Sequence, residues 1–558
     1  MAQDLTRSPL SWSIRLAIFI SALCGAALLL TNNLGTFPLY FFCDEAIHGA
    51  EAQSLIKFGH DTTGARWPLF FRAYGSYHIS LSVYLHLLVL LILPASEFAI
   101  RLIGVFSGLL FIVAVTVLLY RLLYLKSKRY PSDYQLAFML LTAPYIVSIS
   151  PFFYLHFRTG FEIVISLCAW IWGIVAFDIA FDSNVEPRRG LLKRYGFGFL
   201  SALALSASFY IYTPARGWVP LSIAVLLLSY IPRIRKQLWL FVFTLSLLSI
   251  FTLPYILTTI SNPEIGLGRL QVMGITSYDD INIELLSASL VRALEVSNPR
   301  YWLAWGNAPF FESFARHTIP GLPLLPRFLG PFVILGCLTL ISKGRSSCLA
   351  RALIMLYPIG IFPAALVAVN PLRCAPIGAL LLIYGLIGIY TCAAFMSRLP
   401  VVFEKFLLYL SASLVLAYCV YFQQYIFGEA QFLYADYGFY GVQMGERKIF
   451  PKAVELIDQG KSVNMSHEGF NGARQIALFY LSNSQLEHFK IRELALPCLL
   501  PENDPNGIWV LREERYQEFL SAQEACSQVS AKSIYEVRTP TDKVLFRFLE
   551  LSHVENKS

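Results

Sequence analysis

Apolar positions in this chain come in long unbroken blocks, not in the alternating or three-to-four spaced patterns of a soluble protein. Eleven runs stand out, at 13–32, 98–120, 135–150, 162–181, 195–211, 217–231, 238–258, 327–342, 351–369, 374–396 and 406–427. Each approaches the ~20 residues an α-helix needs to cross a bilayer. A twelfth run, 79–93, is short and bounded by Tyr77, His78 and Pro94. After residue 428 the pattern changes. "FPKAVELIDQG" predicts an amphipathic helix stopped by Gly460, and "GIWVLREERY" and "KVLFRFLEL" read as strands. The expected fold is a polytopic α-helical membrane protein with about 11 transmembrane helices over 1–428. A small C-terminal α/β soluble domain should occupy 429–558.

Composition agrees. Of the 558 residues 56% are hydrophobic and 14% charged, against about a quarter charged in an ordinary soluble domain. Mean hydropathy is +0.57. A disordered chain and a soluble enzyme are both excluded. The net charge of +8 is uneven: residues 429–558 hold 14 basic and 18 acidic residues, leaving 30 basic and 18 acidic for the rest. No nucleic-acid partner is needed to explain that excess, because basic residues flank helices on the cytoplasmic side.

The basic clusters orient the chain. They are Arg7/Arg15, Arg121/Lys126/Lys128/Arg129, Arg188/Arg189/Lys193/Arg194, Arg233/Arg235/Lys236, Lys343/Arg345/Arg351 and Arg398/Lys405. If 79–93 does not span, all of them lie on the side of the N-terminus, which is then cytoplasmic. Run 79–93 is therefore read as a juxtamembrane or re-entrant helix, and the first run as a retained helix, not a cleaved signal. Segments 33–97, 151–161, 212–216, 259–326 and 370–373, and the tail, then fall outside. Eight of the ten cysteines lie in or near the membrane region and behave as small apolar residues. Only Cys498 and Cys526 lie in the tail, where an outside location permits a disulfide between them or leaves two free thiols.

The unusual polar residues collect on the outer side. "FFCDEAIHGAEAQSLIKFGHD" sets Asp44 and Glu45 directly after an apolar stretch. Ile47, Ala50, Leu55 and Ile56 can share a buried helical face, with Gly59 as the stop. Asp44 either caps this helix or acts as a general base beside an orienting partner. His48, four residues after Asp44 and three before Glu51, has metal-ligand spacing or is simply packed. "SPFFYLHFRTGFEIVISL" carries His156, Arg158 and Glu162. Glu162 either favours the positive helix N-terminus or faces a polar cavity. Arg158 could pair with Glu162 or hold an anion. Tyr210, Tyr212 and Arg216 lie in "YIYTPARGWVP", Asn307, Glu312, Arg316 and His317 in the long loop 259–326, and Arg373 begins a span. Arginines recognise phosphate through forked hydrogen bonds. Carboxylates beside them do not help bind phosphate, and acid–base work on a hydroxyl suits them.

An Asp-Glu pair just after the first span, followed by an acidic residue in the next outer loop, resembles the GT-C superfamily of membrane glycosyltransferases. The likeness is to the bacterial branch of the protein mannosyltransferase and aminoarabinose lipid A transferase family, including its rhizobial galacturonosyltransferase-like members. "CDEAIHGAEAQSLIKFG" resembles the family's Asp-Glu helix and "HFRTGFE" its second acidic motif. "RHTIPGLPLLPRFLGPFVILG" and "NPLRCAPIGALLLIYGLIGIY" resemble the later lipid-phosphate segments. The resemblance implies a hexosyl- or pentosyltransferase that moves a sugar from a polyprenyl-phosphate donor to a hydroxyl of an envelope glycan, lipid or protein, with inversion. It implies Asp44 as base, Glu45 as its neighbour and Glu162 as an orienting acid. Arg373, Arg316, His317 and Arg216 would bind the lipid phosphate. His156, Arg158, Arg72 and Tyr77 would touch acceptor or sugar. No cofactor is implied, and a divalent metal is not required. The site would lie on the extracytoplasmic face of the plasma (inner) membrane.

One motif departs from the family. Where the aminoarabinose transferases carry an acidic-basic-proline motif, this chain has "WPLFFRAYGSYHISLSVY", which argues against lipid A as acceptor and the amino sugar as donor. The rival readings are an O-antigen ligase or polymerase, built on arginine and histidine in a late loop, and a lipid or ion transporter. The Asp44-Glu45 pair argues against the first. The second expects ionisable groups in mid-span, and here they cluster at span ends.

Overall fold

The structure is a computed structural model. It describes residues 11–73, 76–125, 133–182, 190–265, 283–303, 317–366, 371–396, 398–430, 445–466, 472–492, 507–523 and 529–553. Arg316, Cys498 and Cys526 lie outside the described residues. The chain divides into two compact units. One comprises residues 1–32, 65–85 and 101–423; the other comprises 33–64, 86–100 and 424–558.

The first unit is a helical bundle. Over its described residues, every one of the eleven apolar runs forms a helix. Among the described residues seven helices are long and apolar enough to span a membrane, or eight if the bent pair Asp133–Ser148 and Pro151–Phe157 counts as one span. The other three runs are helices that fall short of that standard, so a count of eleven spans does not follow. Leu329–Gly344 has 16 residues, about 24 Å against a ~30 Å hydrocarbon core. Leu191–Ile211 carries polar side chains that turn inward: Ser201 Oγ donates to the Gly173 carbonyl at 2.9 Å, and the Ser166 and Ser208 hydroxyls meet at 2.9 Å. Cys348–Leu366 runs through Pro358 and Pro363, and only Cys348–Ile361 of it counts as an apolar helix, which is too short. The run at 79–93 forms only Ser80–Leu90, 11 residues, or about 16 Å, half a span.

Burial sorts these helices. Glu162–Ala180 and Ala375–Met396 are buried on almost every face. Trp12–Thr31 buries only Ala22, Ala26 and Leu30, and Leu238–Ser261 only Leu240, Thr244 and Leu248. One narrow i, i+4 stripe packs inward, while the rest of each helix stays apolar and exposed, as a lipid-facing helix does. Leu329–Gly344 and Ala375–Met396 cross closely: a Cβ on Gly336 would collide with the Tyr384 carbonyl, and one on Gly388 with the Phe332 carbonyl. A hairpin of β1 (Phe70–Ala73) and β2 (Ser76–Ile79) belongs to the same unit. At the C-terminal end of Glu162–Ala180, Asp178 and Asp182 take Arg121 at 2.6 and 2.8 Å. Tyr230 Oη donates to Asp178 at 2.6 Å.

The second unit contains a mixed five-stranded sheet, ordered β4-β3-β5-β7-β6. Its strands are β3 (Val463–Met465), β4 (Phe489–Ile491), β5 (Ile508–Arg512), β6 (Val529–Arg538) and β7 (Val544–His553). Strand β3 pairs in parallel with β4 and β5, and β7 pairs antiparallel with β5 and β6. Parallel neighbours need a crossover, and helices Ala473–Tyr480 and Asn483–His488 provide it between β3 and β4. Trp509, Leu511, Phe519, Leu549 and Leu551 form the core against helix Glu513–Gln523. The expected amphipathic helix is Glu446–Asp458, and Gly460 follows it at φ 84°. "GIWVLREERY" is a strand only as far as Arg512; its second half begins a helix.

Candidate active site

The Asp-Glu segment forms helix Cys43–Phe58 in the second unit. Gly59, at φ 73°, ends it in the left-handed cap that only glycine adopts without strain. Ile47, Ala50 and Leu55 are buried as their spacing predicts, but Ile56 is exposed. The cap differs from the expectation too. Phe42 is the N-cap, and the Glu45 carboxylate accepts the Phe42 N–H at 3.0 Å. Asp44 is inside the first turn. Both carboxylates sit at the positive end of the helix dipole, but Glu45 does the capping. From Phe41 to Ala52 every residue is buried except Asp44, which keeps part of its surface open.

The neighbours of Asp44 on this helix are committed elsewhere. Glu51 is buried and accepts the Thr62 N–H at 2.8 Å and the Thr62 hydroxyl at 2.5 Å. Burial pushes the Glu51 carboxyl above its ordinary value, and the Thr62 bonds partly offset it. His48 stacks on His86, ring centroids 5.3 Å apart. Among the described residues no group of three His, Cys, Asp or Glu side chains is placed to hold a metal ion.

The first unit holds the other candidates. His156 and His317 are both buried, with rings 5.8 Å apart. Phe152 lies 4.6 Å from the His156 ring, and Phe161 packs against both imidazoles. Two histidines expected to have separate roles therefore share one aromatic pocket. Glu162 opens helix Glu162–Ala180 just beyond it, half-buried. Arg158 is fully buried and spends its donors on the end of helix Trp12–Thr31: Nη1 donates to Leu30 O at 2.8 Å and Leu29 O at 3.2 Å, and Nη2 to Asn32 O at 2.6 Å. These are carbonyls that a helix C-terminus leaves without partners. Arg216 lies over the Tyr255 ring at 4.6 Å and the Phe70 ring at 5.9 Å, two cation–π contacts that fix the guanidinium plane. Arg72 and Tyr77 face each other across the hairpin register. Arg373 is half-buried in the turn before helix Ala375–Met396.

Sequence reading missed several groups. Arg101 is fully buried in helix Glu97–Tyr120, and Arg121 is an ion-paired residue instead of a loose flanking charge. Asp178 and Asp182, four apart at the end of an apolar run, were the available signal for the latter. A cavity of about 370 Å³ also opens in this unit, lined by Phe138, Ile149, Phe328, Met396, Leu408 and Tyr418 among others. Among the described residues no charged side chain lines it.

No protein-family model matches the sequence, nor does any curated protein. Solved structures do resemble the fold. ArnT from Cupriavidus metallidurans bound to undecaprenyl phosphate aligns over 96% of this chain and 98% of its own, at TM-score 0.53 and 8% identity. The archaeal oligosaccharyltransferase AglB from Archaeoglobus fulgidus, in complex with an inhibitory peptide and a dolichol-phosphate, aligns over 84% of this chain and 64% of its own, at TM-score 0.52 and 13% identity. The Archaeoglobus fulgidus oligosaccharyltransferase tethered to an acceptor peptide gives 96%, 74%, 0.53 and 13% in the same terms. The fold is the one these solved membrane proteins have. In this fold the Asp-Glu helix carries two buried carboxyl groups, Glu45 and Glu51.

Proposed function

We propose that the protein is an integral membrane glycosyltransferase that moves a sugar from a polyprenyl-phosphate donor to a hydroxyl acceptor at the extracytoplasmic face of the plasma membrane, its N-terminus being cytoplasmic. One observation carries the reading: in the stretch Phe41–Ala52 every residue is buried but one, and that one is an acid, Asp44. A helix buried this thoroughly with one partly exposed acidic residue suits a base presented to a substrate. The GT-C fold supports the same class of chemistry.

The reaction is a single displacement with inversion. Asp44 takes the proton of the acceptor hydroxyl. The hydroxyl oxygen bonds to the anomeric carbon as the bond from that carbon to the phosphate oxygen breaks, and the polyprenyl phosphate leaves with the electron pair. Negative charge grows on the phosphate, so fixed guanidinium groups lower the barrier there. Arg373, Arg216, Arg316 and His317 are assigned that work. Glu45 holds the turn that presents Asp44, and Glu162 orients the acceptor. His156 shares a pocket with His317, and Arg72 with Tyr77 forms a second polar pair for sugar or acceptor. Arg158 acts indirectly, by fixing a helix end. The apolar cavity suits hydrocarbon better than sugar, so a stretch of the lipid chain is its natural occupant.

The test is mass spectrometry of envelope glycans and lipids from a deletion strain, with and without the gene restored. A sugar-sized mass should disappear on deletion and return with the wild-type chain but not with Asp44→Asn. Full restoration by Asp44→Asn would remove the base assignment.

A further inference from the structure

The helix that carries Asp44 is held at its N-terminal end by the C-terminal domain, within one compact unit. Glu446 opens helix Glu446–Asp458, and its Oε1 accepts the Phe41 N–H at 2.5 Å across a sequence separation of 405 residues. Arg447, next to it, donates from Nη1 to Thr36 O at 2.6 Å and from Nη2 to Pro38 O at 3.1 Å. Its Nε forks onto both oxygens of Glu97 at 2.9 and 3.0 Å. Tyr480 Oη donates to the same Glu97 at 2.7 Å. The Phe41 ring packs against Phe479 and Tyr480, with centroids 4.8 and 6.2 Å away. Further along the helix, a Cβ on Gly49 would come within 2.6 Å of the Phe479 ring, so no side chain fits there.

These contacts fall on the segment that enters the Asp-Glu helix. The Phe41 amide is held by Glu446 and the Phe42 amide by Glu45, so two successive N–H groups before Asp44 have carboxyl acceptors. A shift of this backbone would move Asp44 with it. We propose that Glu446 and Arg447 are positioning residues for Asp44: the C-terminal domain sets the place of the candidate base by gripping the Thr36–Phe41 backbone. This rests on the reading of Asp44 as the base.

Glu446 is fully buried, and its Oε2 has no hydrogen-bond partner among the described residues. Among the described groups that face it electrostatically, Arg447 favours its charged form and Glu97 opposes it, and Tyr480 is coupled to it as well. The bond to the Phe41 N–H uses one acceptor oxygen at the reach of a glutamate side chain. Two substitutions separate reach from charge. Glu446→Gln keeps the length and the acceptor oxygen; Glu446→Asp keeps the acid but is one methylene too short.

The experiment measures glycan transfer by mass spectrometry in the deletion strain carrying each full-length variant. It also measures hydrogen–deuterium exchange of the peptide over Phe41–Glu45 in the purified proteins. Glu446→Gln should transfer within about twofold of wild type, and Glu446→Asp should lose about 10- to 100-fold, the scale of an ångström-level misplacement. Exchange of the Phe41 amide should rise by about tenfold or more in Glu446→Asp only. Wild-type transfer by Glu446→Asp overturns the proposal, as does loss of transfer in both variants with exchange unchanged. If Glu446→Asp fails to accumulate, Arg447→Lys, which keeps the charge and loses the fork, is read by the same two measurements. Asp44→Asn runs alongside. Normal transfer by that variant defeats the base assignment and this proposal with it; loss in Asp44→Asn with wild-type transfer in Glu446→Asp defeats the positioning role alone.

Discussion

Burial lifts the Glu446 carboxyl to about 8 from an ordinary 4.5, although Arg447 pulls the other way. Between those two values the folded protein holds a proton that the unfolded chain has released, so stability falls as pH rises through the window. Glu446→Gln has no proton to lose. Its unfolding midpoint relative to wild type should climb from pH 4.5 to about 8 and flatten above that, as read by thermal unfolding in detergent at stepped pH. A difference that stays constant with pH would show that Glu446 is charged in the folded protein. Arg158 gives a second case. Arg158→Ala leaves the carbonyls of Leu29, Leu30 and Asn32 without those donors. It should cost about 1.5–3 kcal/mol, the range for hydrogen bonds to a charged group, seen as a lowered unfolding midpoint. Both effects depend on partners remote in sequence. The Asp-Glu pair was legible because a helix start is a local pattern. Which of the two acids caps was not, since that depends on the turn adopted by Phe42. The partners of Arg158 lie 126 to 129 residues away, and no local rule reaches them.

Helices are where the sequence was most informative. A run of apolar residues long enough to span is helical almost by necessity, because an unpaired backbone is too costly in hydrocarbon, and over their described residues all eleven runs are helices. How many of them span was less legible, because inward-facing serines in Leu191–Ile211 lower its hydropathy while serving packing. Close crossings were invisible as well. Gly336 and Gly388 lie in apolar runs like any others, yet each meets a carbonyl of the opposite helix. Gly336→Ala or Gly388→Ala should force the pair apart and lower the unfolding midpoint by the equivalent of about 1–3 kcal/mol, the cost of overpacking. Gly196→Ala is the control: nothing lies within 4 Å of its new Cβ. A helix-interior glycine replaced without strain should leave stability unchanged or raise it by about 0.4–1 kcal/mol. Equal losses in all three variants would mean that the crossing is not as tight as it looks.

For the whole molecule, the telling fact is that one compact unit is assembled from three separated stretches, 33–64, 86–100 and 424–558. A chain ending at residue 428 would therefore keep the Asp-Glu helix but lose Glu446, Arg447, Phe479 and Tyr480. Such a truncation should insert in the membrane but yield no transferred sugar, and its Phe41–Glu45 amides should exchange freely. Transfer by the truncated chain would show that the helix holds its place unaided. The grip also bears on how the protein is made. Phe41 is synthesised 405 residues before its acceptor on Glu446. At about 5–20 residues per second, that is a wait of ~20–80 s. Throughout it the segment is outside the ribosome with one half of its binding site not yet translated. If Asp44 is the base and Glu446 holds its helix in place, the site is unfinished until the segment that carries Glu446 has been made and folded, so a chain stalled before it is silent and not misdirected.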